Sequence, residues 1–278
     1  DALPELPKDI SDRNRTSPFA FTGNKFEFRA VSSAQSVAYP AAFLNTIVAE
    51  SLDHICDELD ARGGANAESI TAVVRETLAK HRRILFDGDN YSDEWVQEAE
   101  RRGLLNRRTT PEALTALDDE KNVSLFESYG VLSKHELASR ARVSNEIYAS
   151  RIRVEARAML DLGRTMILPA ATAYQRRLAD TIRGVRDIDA TIGTESQEAA
   201  LRRATECAGD MHRALDRLAE RLDAVESGEH EEAAHAAGML AEVVPAMEAL
   251  REVADALEQL VDDDLWPLPK YRELMFVR

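Results

Sequence analysis

Lys25, Glu27 and Arg29 stand at alternate positions of the stretch GNKFEFRAV, residues 23–31. In an extended chain alternate side chains share a face, so these three charges line one side and Phe26 and Phe28 the other. At steps of about 6.6 Å on one face, these three side chains can touch three subsites in sequence. The same pattern also describes an ordinary surface strand, salt-bridged to itself on an aromatic back. The residues alone leave both readings open.

Other chemistry-like patterns are weaker. HEEAAH, residues 230–235, has its histidines five apart, about 140° around a helix, whereas a zinc-binding pair needs them four apart on one face. It reads instead as a solvated helix start whose glutamates suit the N-terminal dipole. Cys56 lies near His54, but no third group can be named to make a thiolate dyad. Asp262, Asp263 and Asp264 read as a solvated loop after a helix rather than a cation site. The sequence holds no P-loop, no Gly-rich dinucleotide turn and no nucleophile elbow.

The elements that must carry these residues follow from pattern. Residues 1–40 hold the only extended character: LPELPKD is a Pro-punctuated connector, TSPFAFT a short strand, and Gly23-Asn24 a turn into KFEFRAV. Pro40 opens a helix in which Phe43, Leu44, Ile47, Val48, Leu52, Ile55 and Leu59 recur at helical spacing, and Gly63-Gly64 stops it. A further helix runs to near Phe86, and Ser92 or Asp93 can cap the next. Ser133 and Glu136 fit a capping box at the head of a long helical stretch towards Ile188, which Pro169 should kink. From about Ser196 a heptad row runs through Leu201, Ala204, Ala208, Met211, Leu215, Leu218, Leu222 and Val225. After Gly228 a second row runs through Ala236, Leu240, Val243, Met247, Leu250, Ala254, Leu257 and Val261, with Pro245 as a bend. Two such helices joined by a short link predict an antiparallel hairpin. The fold class is therefore mostly α, a short β segment followed by a helical bundle.

Composition narrows the function. With 44% hydrophobic and 31% charged residues the chain can build a core. A net charge of −15 repels phosphate backbones and anionic membranes, so neither nucleic acid nor membrane is an expected partner. No apolar run approaches the ~20 residues of a membrane span. Two cysteines build no disulfide framework, and the cytoplasm is the expected compartment. The chain begins Asp1-Ala2-Leu3 without Met, ahead of a strand that needs partners, and is expected to be a piece of a longer protein.

DRNRTSPFAFTGNKFEFR (12–29), with SSAQS and LNTIVAE after it, resembles the end of the catalytic domain of a type III glutamine synthetase. FDGDNYSDEWVQEAERRGLLN, DEKNVSLFESYGVLS, ILPA, VVPAMEALR and LWPLPKYRELMF look like that family's helical C-terminal region. The resemblance covers essentially the whole chain and implies two parts. Residues 1–62 would be the end of the catalytic α/β barrel and 63–278 a helical C-terminal domain.

That family makes glutamine from glutamate, ammonia and ATP through a γ-glutamyl phosphate. The resemblance implies that Glu27 matches a carboxylate coordinating the Mg²⁺ or Mn²⁺ ion at the ATP phosphates. Arg29 matches the arginine engaging substrate glutamate. Arg15 matches a catalytic arginine at the nucleotide and the transferring phosphoryl group. Lys25 stands where other synthetase types carry a nucleotide-side arginine, and Arg13 lies nearby. The chain departs from those types at Phe19-Ala20-Phe21, where they continue to a further arginine. The remaining metal ligands and most of the barrel would lie outside these residues, and the superfamily's site forms between neighbouring subunits of a ring. The isolated chain is thus expected to be inactive. The alternative is a non-catalytic helical scaffold or assembly module carrying a catalytic remnant.

Overall fold

The structure is a computed structural model and describes residues 19–21, 26–29, 36–86, 88–228 and 231–275. The described residues are mostly helical, as composition and periodicity predict. The chain divides into two compact units, Asp1–Leu137 and Ala138–Arg278.

In the first unit, strands β1 (Phe19–Phe21) and β2 (Phe26–Phe28) pair antiparallel. The strand–turn–strand expectation is met in its strands, while the turn at Gly23-Asn24 lies outside the described residues. Helix α1 (Ala38–Ala61) ends where predicted, because Gly63 and Gly64 adopt φ of 86° and 99°. Their amides donate to the carbonyls of Asp60 (3.0 Å) and Leu59 (2.9 Å), closing orphan acceptors of the last turn. Helix α2 (Ala67–His81) starts on Asn66, whose side chain accepts from the amides of Glu68 and Ser69. It stops five residues short of Phe86 and tightens into a 3₁₀ turn at Arg82–Ile84. Helices α3 (Asp93–Arg101), α4 (Thr110–Leu114) and α5 (Glu120–Ser128) follow, with Ser92 capping α3.

The core of this unit is small: Val123, Phe126 and Leu137, with Phe43, Leu117 and Leu132 against them. Phe43 meets Phe126 at 4.9 Å between ring centroids. Helix α1 buries only Thr46, while Ile47, Val48 and Leu52 of its apolar row are each about half exposed. Its partners in this unit, α2 and α5, cover Phe43 but leave those three side chains half open among the described residues.

Helix α6 (Lys134–Leu162) begins with the predicted capping box: the Ser133 amide and hydroxyl both donate to Glu136 at 2.8 Å, and the Glu136 amide donates back to Ser133 Oγ. A π turn at Gly163–Ile167 leads into α7 (Leu168–Ile188), with Pro169 its second residue. Helix α8 (Glu195–Glu226) starts within one residue of expectation. Helix α9 (Glu232–Gly238) then passes through a second π turn, Met239–Val243, into α10 (Val244–Leu260), again with proline, Pro245, in second place. Proline has no N–H and crowds the carbonyl four residues back. A widened turn just ahead of it removes the clash without ending the helix.

Both α7 and α10 pack along α8. Of the first heptad row, every member from Ala204 to Val225 is buried, and Leu201 is partly so. Of the second row, Ala236, Val243, Leu250, Leu257 and Val261 are buried as expected, whereas Leu240, Met247 and Ala254 are only half-buried, and Met239 and Ala246 are buried beside them. The wider turn interrupts the 3.6-residue period on which the extrapolated row depended. Gly163 lets α8 come close: a Cβ there would sit 2.6 Å from Leu215 Cδ2 and 3.1 Å from Met211 Cε.

Candidate functional site

Of the four residues carried by the resemblance, the structure describes Glu27 and Arg29. Glu27 stands opposite Ala20 in the strand register, inside β2, and Arg29 follows the strand directly. Two residues apart on extended backbone, they share a face, and Arg29 Nη2 lies 3.2 Å from Glu27 Oε2. Their side chains are about a quarter to a third exposed, so the pair is reachable from solvent. Arg15, Lys25 and Arg13 lie outside the described residues. Phe28, on the opposite face of the strand, is 48% exposed.

A single carboxylate, Glu27, fits one ligand position of a hard divalent cation, which takes one or two carboxylates alongside phosphate oxygens and water. Among the described residues no group of three His, Cys, Asp or Glu side chains is placed to hold a metal ion. The weaker motifs resolve into structural roles. Glu232 sits in the first turn of α9 and pairs with Arg142 at 2.7 Å, while His230 lies outside the described residues. Cys56 is an exposed thiol in the middle of α1.

The triple aspartate is held by partners the sequence reading missed. Arg177 on α7 bonds Asp262 at 2.5 Å and clasps both oxygens of Asp264 at 2.9 and 2.8 Å. Lys270 pairs with Asp263 at 2.6 Å. Hydrogen bonding from Arg177 holds the Asp264 carboxyl below its ordinary range and raises the guanidinium correspondingly. A depressed carboxyl stabilises the fold above its ordinary range, near pH 3.9, and that contribution is lost as pH falls through the lower folded value. The urea midpoint should therefore fall on acidification from pH 5 towards 3, and fall less in Arg177→Met. An identical acid slope in wild type and variant would count against the clamp.

A second missed cluster surrounds Trp95. Phe86 stacks on it at 4.6 Å, and the Arg102 guanidinium lies 5.5 Å from its ring centre. Arg102 also donates to the carbonyls of Arg83 (3.0 Å) and Leu85 (2.7 Å) and pairs with Glu98. The four-residue spacing of Glu98 and Arg102 on a predicted helix was the available signal. Elsewhere the Tyr129 hydroxyl donates to Asp53 at 2.6 Å, and that bond pushes the phenol up to about 12.

A helical chain preceded by a strand hairpin with an acid–arginine pair has clear relatives. Residues 69–186 match the glutamine synthetase C-terminal domain. Across 99% of its length the chain is 40% identical to the type-3 glutamine synthetase of Dictyostelium discoideum. It is 35% identical over 99% of its length to a glutamine synthetase of Bacteroides fragilis, and 32% over 97% to one of Butyrivibrio fibrisolvens. The chain spans 38%, 39% and 38% of the lengths of these proteins. Residues 69–186 thus carry the likeness to the glutamine synthetase C-terminal domain, and the chain is similar to a C-terminal portion of these relatives. Among the described residues no helix is long and apolar enough to cross a membrane.

Proposed function

We propose that this chain is the C-terminal part of an ATP-dependent glutamate–ammonia ligase, acting in the cytoplasm within a ring-type homo-oligomer and incomplete by itself. The observation that carries this reading is the likeness to glutamine synthetases along 97–99% of the chain. Two structural features support it. A two-stranded sheet with three residues per strand is too small to stand alone, so further strands beside it are needed. The apolar row of α1, with Ile47, Val48 and Leu52 half exposed, suits burial against the remainder of a catalytic domain. On this reading residues 1–62 close the catalytic barrel and 63–278 form the helical domain. Within that domain α8 and α10 make an antiparallel hairpin on their heptad rows. Supporting contacts are Arg221 with Glu242 at 2.8 Å and Val225 beside Gly238.

The roles follow from side-chain chemistry. Arg29 offers a planar fork to the glutamate carboxylate, a geometry lysine cannot reproduce. Arg15 and Lys25 place positive charge near the nucleotide, where phosphoryl transfer needs it. Glu27 is one ligand of a Mg²⁺ or Mn²⁺ ion, which when bound offsets the negative charge of the ATP phosphates. The Arg29 contact holds the Glu27 carboxylate along the shared face of the strand.

The alternative, a helical scaffold with a catalytic remnant, draws on one fact: the large core lies wholly in the second unit, away from Glu27 and Arg29 in sequence. The purified 278-residue chain, given glutamate, ammonia, ATP and Mg²⁺, is expected to form no glutamine. Turnover at rates typical of enzymes, ~1 s⁻¹ or more, would show that the site is complete without the rest of the subunit.

A further inference from the structure

The second unit contains a cavity of ≈ 550 Å³ between α6, α8 and α10, within the range of about 300–1,000 Å³ usual for small-molecule sites. Its floor is apolar and buried: Ile167, Met211 and Leu250. Met159 and Met247 form half-buried walls, and methionine side chains adapt to varied apolar shapes. Both π turns shape it, since Ile167 ends the first and Val244 directly follows the second. Two turns that make room for a proline thus also open a gap in otherwise close helix packing.

The rim is charged, and its charges do not cancel. Arg251 pairs with Asp255 at 3.5 Å. Glu155 and Glu248 also line the mouth, are exposed, and have no ionic partner among the described residues. An open apolar groove beside two uncompensated carboxylates is complementary to a molecule with an apolar body and a positively charged end, and repels its acidic counterpart.

We propose that this cavity is a binding site for a small amphiphilic organic cation, an amine carrying an aromatic or short aliphatic body. The body enters among Met159, Met211 and Met247, and the ammonium rests between Glu155 and Glu248. This goes beyond the synthetase reading and does not depend on it.

The test uses the 278-residue chain with ¹³C-methyl-labelled methionine and two probes of equal size, 4-phenylbutylamine and 4-phenylbutanoate. Six methionines give an internal control: Met159, Met211 and Met247 line the cavity, whereas Met166, Met239 and Met275 do not. The amine is expected to shift the first three signals, saturably, and to bind about tenfold more tightly than the acid, as two exposed charge contacts allow. Glu155→Gln with Glu248→Gln should remove that preference while leaving the apolar contacts. Ala158→Trp, at an exposed position of the mouth, should block both probes without disturbing the core. The proposal is overturned if the amine does not bind at millimolar concentration, or binds no better than the acid. It is equally overturned if only the three methionines outside the lining respond, or if Ala158→Trp binds as wild type does.

Discussion

Leu215→Asp should unfold the helical unit 138–278. Leu215 is 1% exposed, belongs to the large core on α8, and abuts the π turn at Gly163, where there is no room for a Cβ. Removing a buried leucine side chain costs about 2–5 kcal/mol, and an unpaired carboxylate in its place costs several kcal/mol more. The sum rivals a whole domain's stability of about 5–15 kcal/mol. By comparison Arg221→Ala removes a half-exposed pair with Glu242, a change of less than about 1 kcal/mol. Circular dichroism melts of both variants measure the contrast. A Leu215→Asp protein that melts like wild type would mean that α8 does not occupy the centre of this unit.

Glu27→Gln in the full-length subunit should leave the fold intact and reduce glutamine formation on the order of 100-fold or more, as loss of a metal-site or transition-state charge does. The amide keeps the carboxylate's size but not its charge, so strand pairing at Ala20 is retained while the proposed metal ligand loses its negative charge and one of its two oxygens. Raising the metal concentration should recover part of the activity. Arg29→Lys should act differently, raising KM for glutamate more than it lowers kcat. Phe28→Ala serves as control: with Phe28 48% exposed, the isolated chain should lose far less than the ~3–5 kcal/mol of a fully buried phenylalanine. Steady-state kinetics at varied metal and glutamate, beside thermal stability, separate these outcomes. Wild-type activity and metal dependence in Glu27→Gln would make β2 an ordinary surface strand with a salt bridge.

The sequence by itself determined what depends on near neighbours along the chain. Gly63-Gly64 ends α1, because only a residue without Cβ enters that positive-φ turn at little cost. Ser133 and Glu136 start α6 by bonding each other's backbone three residues apart. The row from Ala204 to Val225 is buried because a seven-residue apolar repeat gives one helix one continuous face. The resemblance picked out Glu27 and Arg29, and alternation alone put them on one face.

Tertiary structure decided which neighbour, if any, covers each face. The apolar row of α1 reads like that of α8, yet Val48 and Leu52 are half exposed and Leu218 is fully buried. Periodicity specifies an apolar face but not its partner. At the π turn Met239–Val243 ahead of Pro245, Met239 and Ala246 are buried while Leu240 and Met247 stay half-buried, because a widened turn breaks the period that residue order extrapolates. Arg177 meets Asp262 and Asp264 across more than eighty residues of sequence, and the cavity under Glu155 and Glu248 joins three helices. Contacts of that span have no local period, and they exist only once the chain has closed on itself.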